Sequence, residues 1–205
     1  MGRLFGTDGA RGVANTELSC ETAMAIGRAA AMVLAEAEHH KPKVVIGKDT
    51  RISSDMLEAA LVAGFCSVGA DVLLLGVLPT PAVAYLVKAY GADAGVMISA
   101  SHNPCEYNGI KIFNSEGYKL SDALEEEIEA IVLDGAKTPP CPTGGDIGRV
   151  SSCKNAVDDY VRHLLSVTDV DLRGMRLAVD CANGSASATA RKLFSALGAD
   201  CVFLS

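Results

Sequence analysis

The chain has 205 residues, 49% of them hydrophobic and 21% charged, which is ample material for a sizeable core. Its 18 Lys and Arg against 25 Asp and Glu give a net charge of −7, which argues against nonspecific nucleic-acid binding, since that depends on a basic surface. The seven cysteines, at 20, 66, 105, 141, 153, 181 and 201, never form a Cys-x-x-Cys pair, so neither a disulfide framework nor a zinc site has its spacing. The opening Met-Gly-Arg-Leu-Phe-Gly-Thr-Asp lacks the apolar core of a signal peptide. The Ala-rich stretch 23–37 is cut by Arg28 and Glu36, so it is not a membrane span. The expected setting is a reducing cytoplasm, with no membrane or nucleic-acid partner and no oligomeric state specified.

The first notable segment is Phe5-Gly-Thr-Asp-Gly-Ala-Arg-Gly12. Its glycines permit close backbone approach, and Arg11 offers a planar fork to phosphate oxygens. It follows no strand and lacks the Gly-Lys-Ser/Thr ending of a P-loop, so neither nucleotide motif applies. An Asp-Gly turn in a chain terminus accounts for the same residues. Ser19 then caps a helix to about His39, with Ala23, Ile26, Ala30, Val33 or Leu34 and Ala37 at helical spacing. Val44–Gly47 reads as a short buried strand. It leads into Lys48-Asp-Thr-Arg-Ile-Ser53 and a helix starting at Ser53 or Ser54 that carries Leu57, Leu61, Phe65 and Val68. A loop leaving a strand and entering a helix collects anions, yet Lys48, Asp49 and Arg51 also read as a solvated surface ion pair.

Val72–Leu75 is the next strand, Thr80–Tyr90 a helix opening with Pro81, and Gly95–Ser99 a strand that breaks into Ala100-Ser-His-Asn-Pro104. Here Ser101 is a hydroxyl nucleophile with a titratable ring, His102, beside it and Lys111 on the following strand, Ile110–Phe113. That trio can carry and transfer a phosphoryl group, and Ser-His-Asn-Pro is also ordinary turn chemistry. Lys111 alternates with Ile110 and Ile112 and so points away from their face, towards Ser101. His102 reads equally as a positioning or proton-shuttling group and as a structural one. His39, His40 and His163 read as structural.

An acidic helix, Ser121–Leu133, follows. From Lys137 to Ser152, Pro139-Pro-Cys-Pro142 and Gly144, Gly145 and Gly148 erase all periodicity and mark a linker. Beyond it come a helix (Asn155–Leu165), a strand (Arg176–Asp180), a loop (Cys181–Ser185), a helix (Ala188–Leu197) and a strand (Asp200–Leu204). Such a unit cannot cover both faces of its sheet. The alternation predicts an α/β domain over 1–152, with helices on both faces of a mixed sheet and the linker from about 137. Residues 153–205 are expected to be the truncated start of a second α/β domain.

Phe-Gly-Thr-Asp-Gly-x-Arg-Gly, Ile-Gly-Lys-Asp-Thr-Arg-Ile-Ser, Leu-Pro-Thr-Pro-Ala-Val-Ala-Tyr, Ser-Ala-Ser-His-Asn-Pro and Val-Asp-Cys-Ala-Asn-Gly occur in that order. In order, spacing and wording they resemble the α-D-phosphohexomutases, the bacterial amino-sugar branch in particular, over essentially the whole chain. The one departure is Ala10, where isoleucine is more usual. The resemblance implies a three-layer mixed-sheet first domain with Ser101 as the phosphorylated residue. It also implies Lys111 as the proton-transfer lysine and Arg11 as an active-site arginine. The implied substrate is a hexosamine phosphate, passing through a sugar bisphosphate between glucosamine 6-phosphate and glucosamine 1-phosphate. Mg²⁺ is implied as a cofactor, held by the oxygen of phosphorylated Ser101 and by an Asp-Gly-Asp-Gly-Asp-Arg loop that this chain does not contain. Members of the family are more than twice as long, so the chain alone is expected to show no turnover. The alternatives are a phosphoglucomutase or phosphomannomutase of the same family, and a non-catalytic phosphate-binding module.

Overall fold

The structure is a computed structural model and describes residues 2–38 and 40–205. Its centre is a six-stranded sheet in the order β1 (Ala10–Val13), β5 (Tyr107–Asn114), β4 (Ala94–Ile98), β2 (Lys43–Lys48), β3 (Asp71–Val77) and β6 (Val150–Ser152). Strands β4, β2, β3 and β6 run parallel, whereas β5 is antiparallel to both β4 and β1. Successive side chains of a strand face opposite ways, so one sheet feeds two cores. Val44, Ile46, Val96, Ile98, Ile110 and Ile112 pack under α1 (Cys20–Glu38), α2 (Ile52–Ser67) and α4 (Asp122–Asp134). Val45, Leu75 and Met97 pack under α3 (Thr80–Ala89) and α5 (Ala156–Ser166). The result is the expected three-layer α/β architecture. A parallel pair, β7 (Arg176–Asp180) and β8 (Asp200–Leu204), is joined through α6 (Ser187–Ala196) into a separate two-stranded sheet. Among the described residues no helix is long and apolar enough to cross a membrane.

The helix expected after Ser19 begins at Cys20, and the Thr22 amide donates to Ser19 Oγ at 3.2 Å. The expected end of that helix at His39, and the reading of His39 as structural, lie outside the described residues. Three segments differ from the sequence reading. Residues 10–13, read as loop, form an edge strand because β5 begins at Tyr107, ahead of its apolar run, and offers Tyr107–Ile110 as partners. Helix α2 starts at Ile52. Ser53 and Ser54 do not cap it because they stand inside its first turn, after the N-cap residue Arg51, where their hydroxyls accept from Asn108 Nδ2 at 2.9 and 3.0 Å. Finally, Val150–Ser152, expected within the linker, is the strand beside β3. All three of its residues are exposed, so no burial pattern marked it. Downstream of it, Ala156 and Tyr160 are buried in the same core as Val45 and Leu86.

Two constraints shape the layer that carries the site. Helices α1 and α2 cross at Gly27 and Gly64. A Cβ on Gly27 would stand 2.9 Å from the Leu61 carbonyl oxygen, and one on Gly64 would collide with the Met24 carbonyl. Gly64→Ala is therefore expected to push the helices apart and to cost about 1–3 kcal/mol, read as a lower urea midpoint; an unchanged midpoint would contradict the close crossing. At the chain's start, the buried Glu129 carboxylate of α4 accepts from the amides of Arg3, Leu4 and Phe5 at 2.9, 2.8 and 2.7 Å. Burial alone would raise its pKa, but these three donors outweigh it and hold the carboxyl below the usual 4.5. The stabilisation is thus fully present above about pH 4.5 and is lost as pH falls through the lowered folded value. Glu129→Gln is expected to cost about 1–3 kcal/mol at pH 7. In urea titrations its gap from the native protein should close as the pH drops below that range, and a pH-independent gap would refute the assignment.

Candidate active site

Ser101 follows β4 at the carboxyl edge of the parallel strands, where open α/β sheets bind ligands. It is exposed and its backbone is left-handed, with φ 58°, a conformation few non-glycine residues adopt. Two hydrogen bonds hold it there. Its amide donates to Ser99 Oγ at 3.0 Å, and its carbonyl accepts from Arg51 at 3.0 Å. Ser99, the other serine of the motif, is buried and its oxygen is engaged in this bond. His102 Nδ1 lies 3.4 Å from Ser101 Oγ, and both residues are exposed.

Arg51 wraps the whole loop. Its Nε donates to Asp49 at 3.0 Å; one terminal nitrogen donates to the carbonyls of Pro104 and Tyr107 at 2.6 and 3.0 Å; the other donates to those of Ser101 and Asn103 at 3.0 and 2.8 Å. Asp49 is itself buried. Its amide donates to Ile98 O at 3.0 Å, and its carboxylate accepts from the Arg51 amide and from Ser54 Oγ at 3.0 and 2.9 Å. Asn108, fully buried, links Ser53 and Ser54 to Gly109, whose amide donates to Asn108 Oδ1 at 2.8 Å. The two sequence readings of the basic run, anion loop and solvated ion pair, thus give way to a third, a scaffold. Lys48 is engaged as well, bonding Asp55 and Glu58. Burial opposes its charge, but the two carboxylates prevail and raise its pKa above the usual lysine value.

Lys111 and Arg11 are brought together on one side. Lys111 Nζ stands 3.4 Å, and Arg11 3.3 Å, from the two oxygens of Asp8. Alternation places both opposite Ile110 and Ala10, which are buried in the α1–α2–α4 core. The approach is close because Gly9, at φ 87°, has no side chain: a Cβ there would lie 2.9 Å from Lys111 Cγ and strike the Ile110 carbonyl. The Arg11 Nε is buried and has no hydrogen-bond partner among the described residues. Ser101 and His102 line a cleft of about 820 Å³ that Ala182, Asn183, Gly184 and Ser185 also line, with Thr50 Oγ1 donating to Asn183 O at 2.6 Å. Lys111 and Asp8 line an adjoining cavity of about 160 Å³, and Thr80, at the start of α3, borders both. The structure therefore pairs Ser101 with His102 in one space and places Lys111 in the neighbouring one, with Arg11 joined to Lys111 through Asp8.

The donors around Ser101 do not amount to a Mg²⁺ site. Asp49, the buried carboxylate of the cleft, is already bonded to Arg51 and Ser54, and among the described residues no group of three His, Cys, Asp or Glu side chains converges. Sequence reasoning missed Asp8, Ser99, Asn108 and the target of Arg51. The Tyr-Asn-Gly before the apolar run of β5 was the available signal for Asn108; nothing local signals a guanidinium that binds carbonyls some fifty residues away.

Residues 2–138 match the family model for phosphoglucomutase/phosphomannomutase, alpha/beta/alpha domain I. The phosphoglucosamine mutase of Clostridium novyi (strain NT) is 58% identical over 204 residues, 100% of this chain and 45% of that protein. The phosphoglucosamine mutase of Acetivibrio thermocellus is 59% identical over 200 residues, 98% of this chain and 44% of that protein. A crystal structure of a phosphoglucomutase/phosphomannomutase family protein from Burkholderia thailandensis superimposes with a TM-score of 0.79 at 30% identity, over 98% of this chain and 43% of that one. The chain thus spans less than half the length of these relatives. With a first domain matched over 2–138 and the same fold in a solved relative, the chain belongs to the phosphoglucomutase/phosphomannomutase family.

Proposed function

We propose that this chain carries the phosphoryl-bearing serine of an enzyme that interconverts glucosamine 6-phosphate and glucosamine 1-phosphate. The observation that carries this reading is the placement of Ser101. It is an exposed hydroxyl in a rigidly held left-handed turn at the carboxyl edge of the sheet, opening into a cleft of small-molecule size. The amino-sugar substrate rests on the 58–59% identity to proteins bearing the name phosphoglucosamine mutase.

In this reading a free hydroxyl of the sugar phosphate attacks the phosphorus on Ser101. Its P–O bond forms, the bond to Ser101 Oγ breaks, and the attacking hydroxyl's proton passes to a base while the serine oxygen regains one. The bisphosphate then turns over, and its other phosphoryl group returns to Ser101 by the reverse exchange. Lys111 is the proposed proton-transfer group and Arg11 the proposed partner for phosphate oxygens. His102, with Nδ1 near Ser101 Oγ, is proposed to orient the hydroxyl. Mg²⁺, implied by the family resemblance, would meet phosphorylated Ser101 with its remaining ligands coming from outside these residues.

The test is kinetic, in the full-length protein that contains this chain. Ser101→Ala is expected to abolish turnover and leave the fold intact, because an exposed oxygen leaves no cavity. Lys111→Ala is expected to slow transfer by roughly 10²–10⁴-fold. Turnover that survives Ser101→Ala would refute the reading. Faster conversion of glucose or mannose phosphates than of glucosamine phosphates would move the substrate to another branch of the family. Absence of any conversion would leave a phosphate-binding module.

A further inference from the structure

We propose that Arg51 is a positioning residue for Ser101, acting through the loop's main chain and not as a cation for phosphate. The proposal deepens the reading of Ser101 as phosphoryl carrier and rests on it. A guanidinium has five N–H donors and no acceptor, and here each donor has an acceptor: the Asp49 carboxylate and the carbonyls of Ser101, Asn103, Pro104 and Tyr107. No donor remains for a ligand. The side chains of Arg51 and Asp49 are only 11% and 9% exposed, so the guanidinium charge is already neutralised by the carboxylate at the cleft wall.

The four carbonyls span the loop from the serine to the first residue of β5, so one side chain closes the turn at both ends. The bond to the Ser101 carbonyl matters most, because with φ at 58° that residue relaxes to an ordinary conformation once the restraint is gone. Relaxation would rotate the Oγ away from the substrate without altering how the sugar phosphate binds. Lysine in place of Arg51 keeps the charge but brings three donors on a flexible stem, which cannot reproduce a planar five-donor fork.

The experiment is steady-state kinetics on Arg51→Lys in the full-length protein, with Ser101→Ala in parallel and amide hydrogen exchange on both. Misplacement of a reacting group by about 1 Å costs roughly 10²-fold, so Arg51→Lys is expected to lower kcat by about that factor with KM essentially unchanged. Exchange should quicken in residues 101–107 and stay unchanged in strand peptides 44–47 and 94–98. Native kcat in Arg51→Lys would overturn the proposal, as would a raised KM with kcat unchanged, which marks a phosphate-binding cation. If Arg51→Lys does not fold, Asp49→Asn serves: it leaves the guanidinium but weakens the bond that aims it. The same loss confined to kcat, smaller in size, is expected, and a loss confined to KM would overturn the assignment. Turnover by Ser101→Ala would strike the carrier reading alone, since loop exchange still reports on the clamp.

Discussion

The contact between Asp49 and Arg51 is the constraint on which the site depends. A serine offered to a ligand must leave the sheet, and Ser101 does so in a backbone conformation that favours glycine. Such a turn persists only where its surroundings determine it from several directions. Asp49, anchored through its amide to the last residue of β4 and through its carboxylate to Ser54, aims the guanidinium. The guanidinium in turn fixes four carbonyls, and Asn108 ties the same α2 start to β5. Reacting groups held in place before a ligand arrives need no ordering during the reaction.

The distribution of charge follows the same logic. The chain is acidic overall, yet Arg11, Lys48, Arg51 and Lys111 gather at one edge of the sheet. Lys48 faces two carboxylates and Arg51 faces one, so neither brings net positive charge to a ligand. Arg11 and Lys111 share the single carboxylate of Asp8; two positive charges against one negative leave one positive charge. Anion attraction is therefore concentrated beside Lys111 and Arg11, and Ser101 lines the cleft that shares Thr80 with the Lys111 cavity. A group carrying about −1.5 to −2 charge would find its counter-charge there and not in the scaffold.

The layers were legible in the sequence because burial on both faces leaves continuous apolar runs such as Val44–Ile46 and Val96–Ile98, while helical spacing marked the cover. Two strands were not. Ala10–Val13 and Val150–Ser152 exist through ladder hydrogen bonds to partners distant in sequence, and backbone pairing leaves no side-chain signature in an exposed or glycine-bearing edge. For the site, the serine loop and its lysine could be singled out, since their chemistry is local. Arg51 could be noticed as charge but not understood, because its acceptors are main-chain oxygens that only the fold brings near. Asp8 was passed over inside a turn motif for the same reason: its meaning arises from Lys111, a strand away.

The central claim is that Ser101, and not the neighbouring Ser99, bears the phosphoryl group. Ser99 is buried with its oxygen bound to the Ser101 amide, whereas Ser101 opens to the cleft. Intact-mass measurement of the freshly isolated full-length protein, followed by peptide mapping across residues 94–111, tests this directly. The account predicts a single phosphate localised to Ser101. A phosphate on Ser99, or a protein that never gains one on exposure to the sugar bisphosphate, would contradict it.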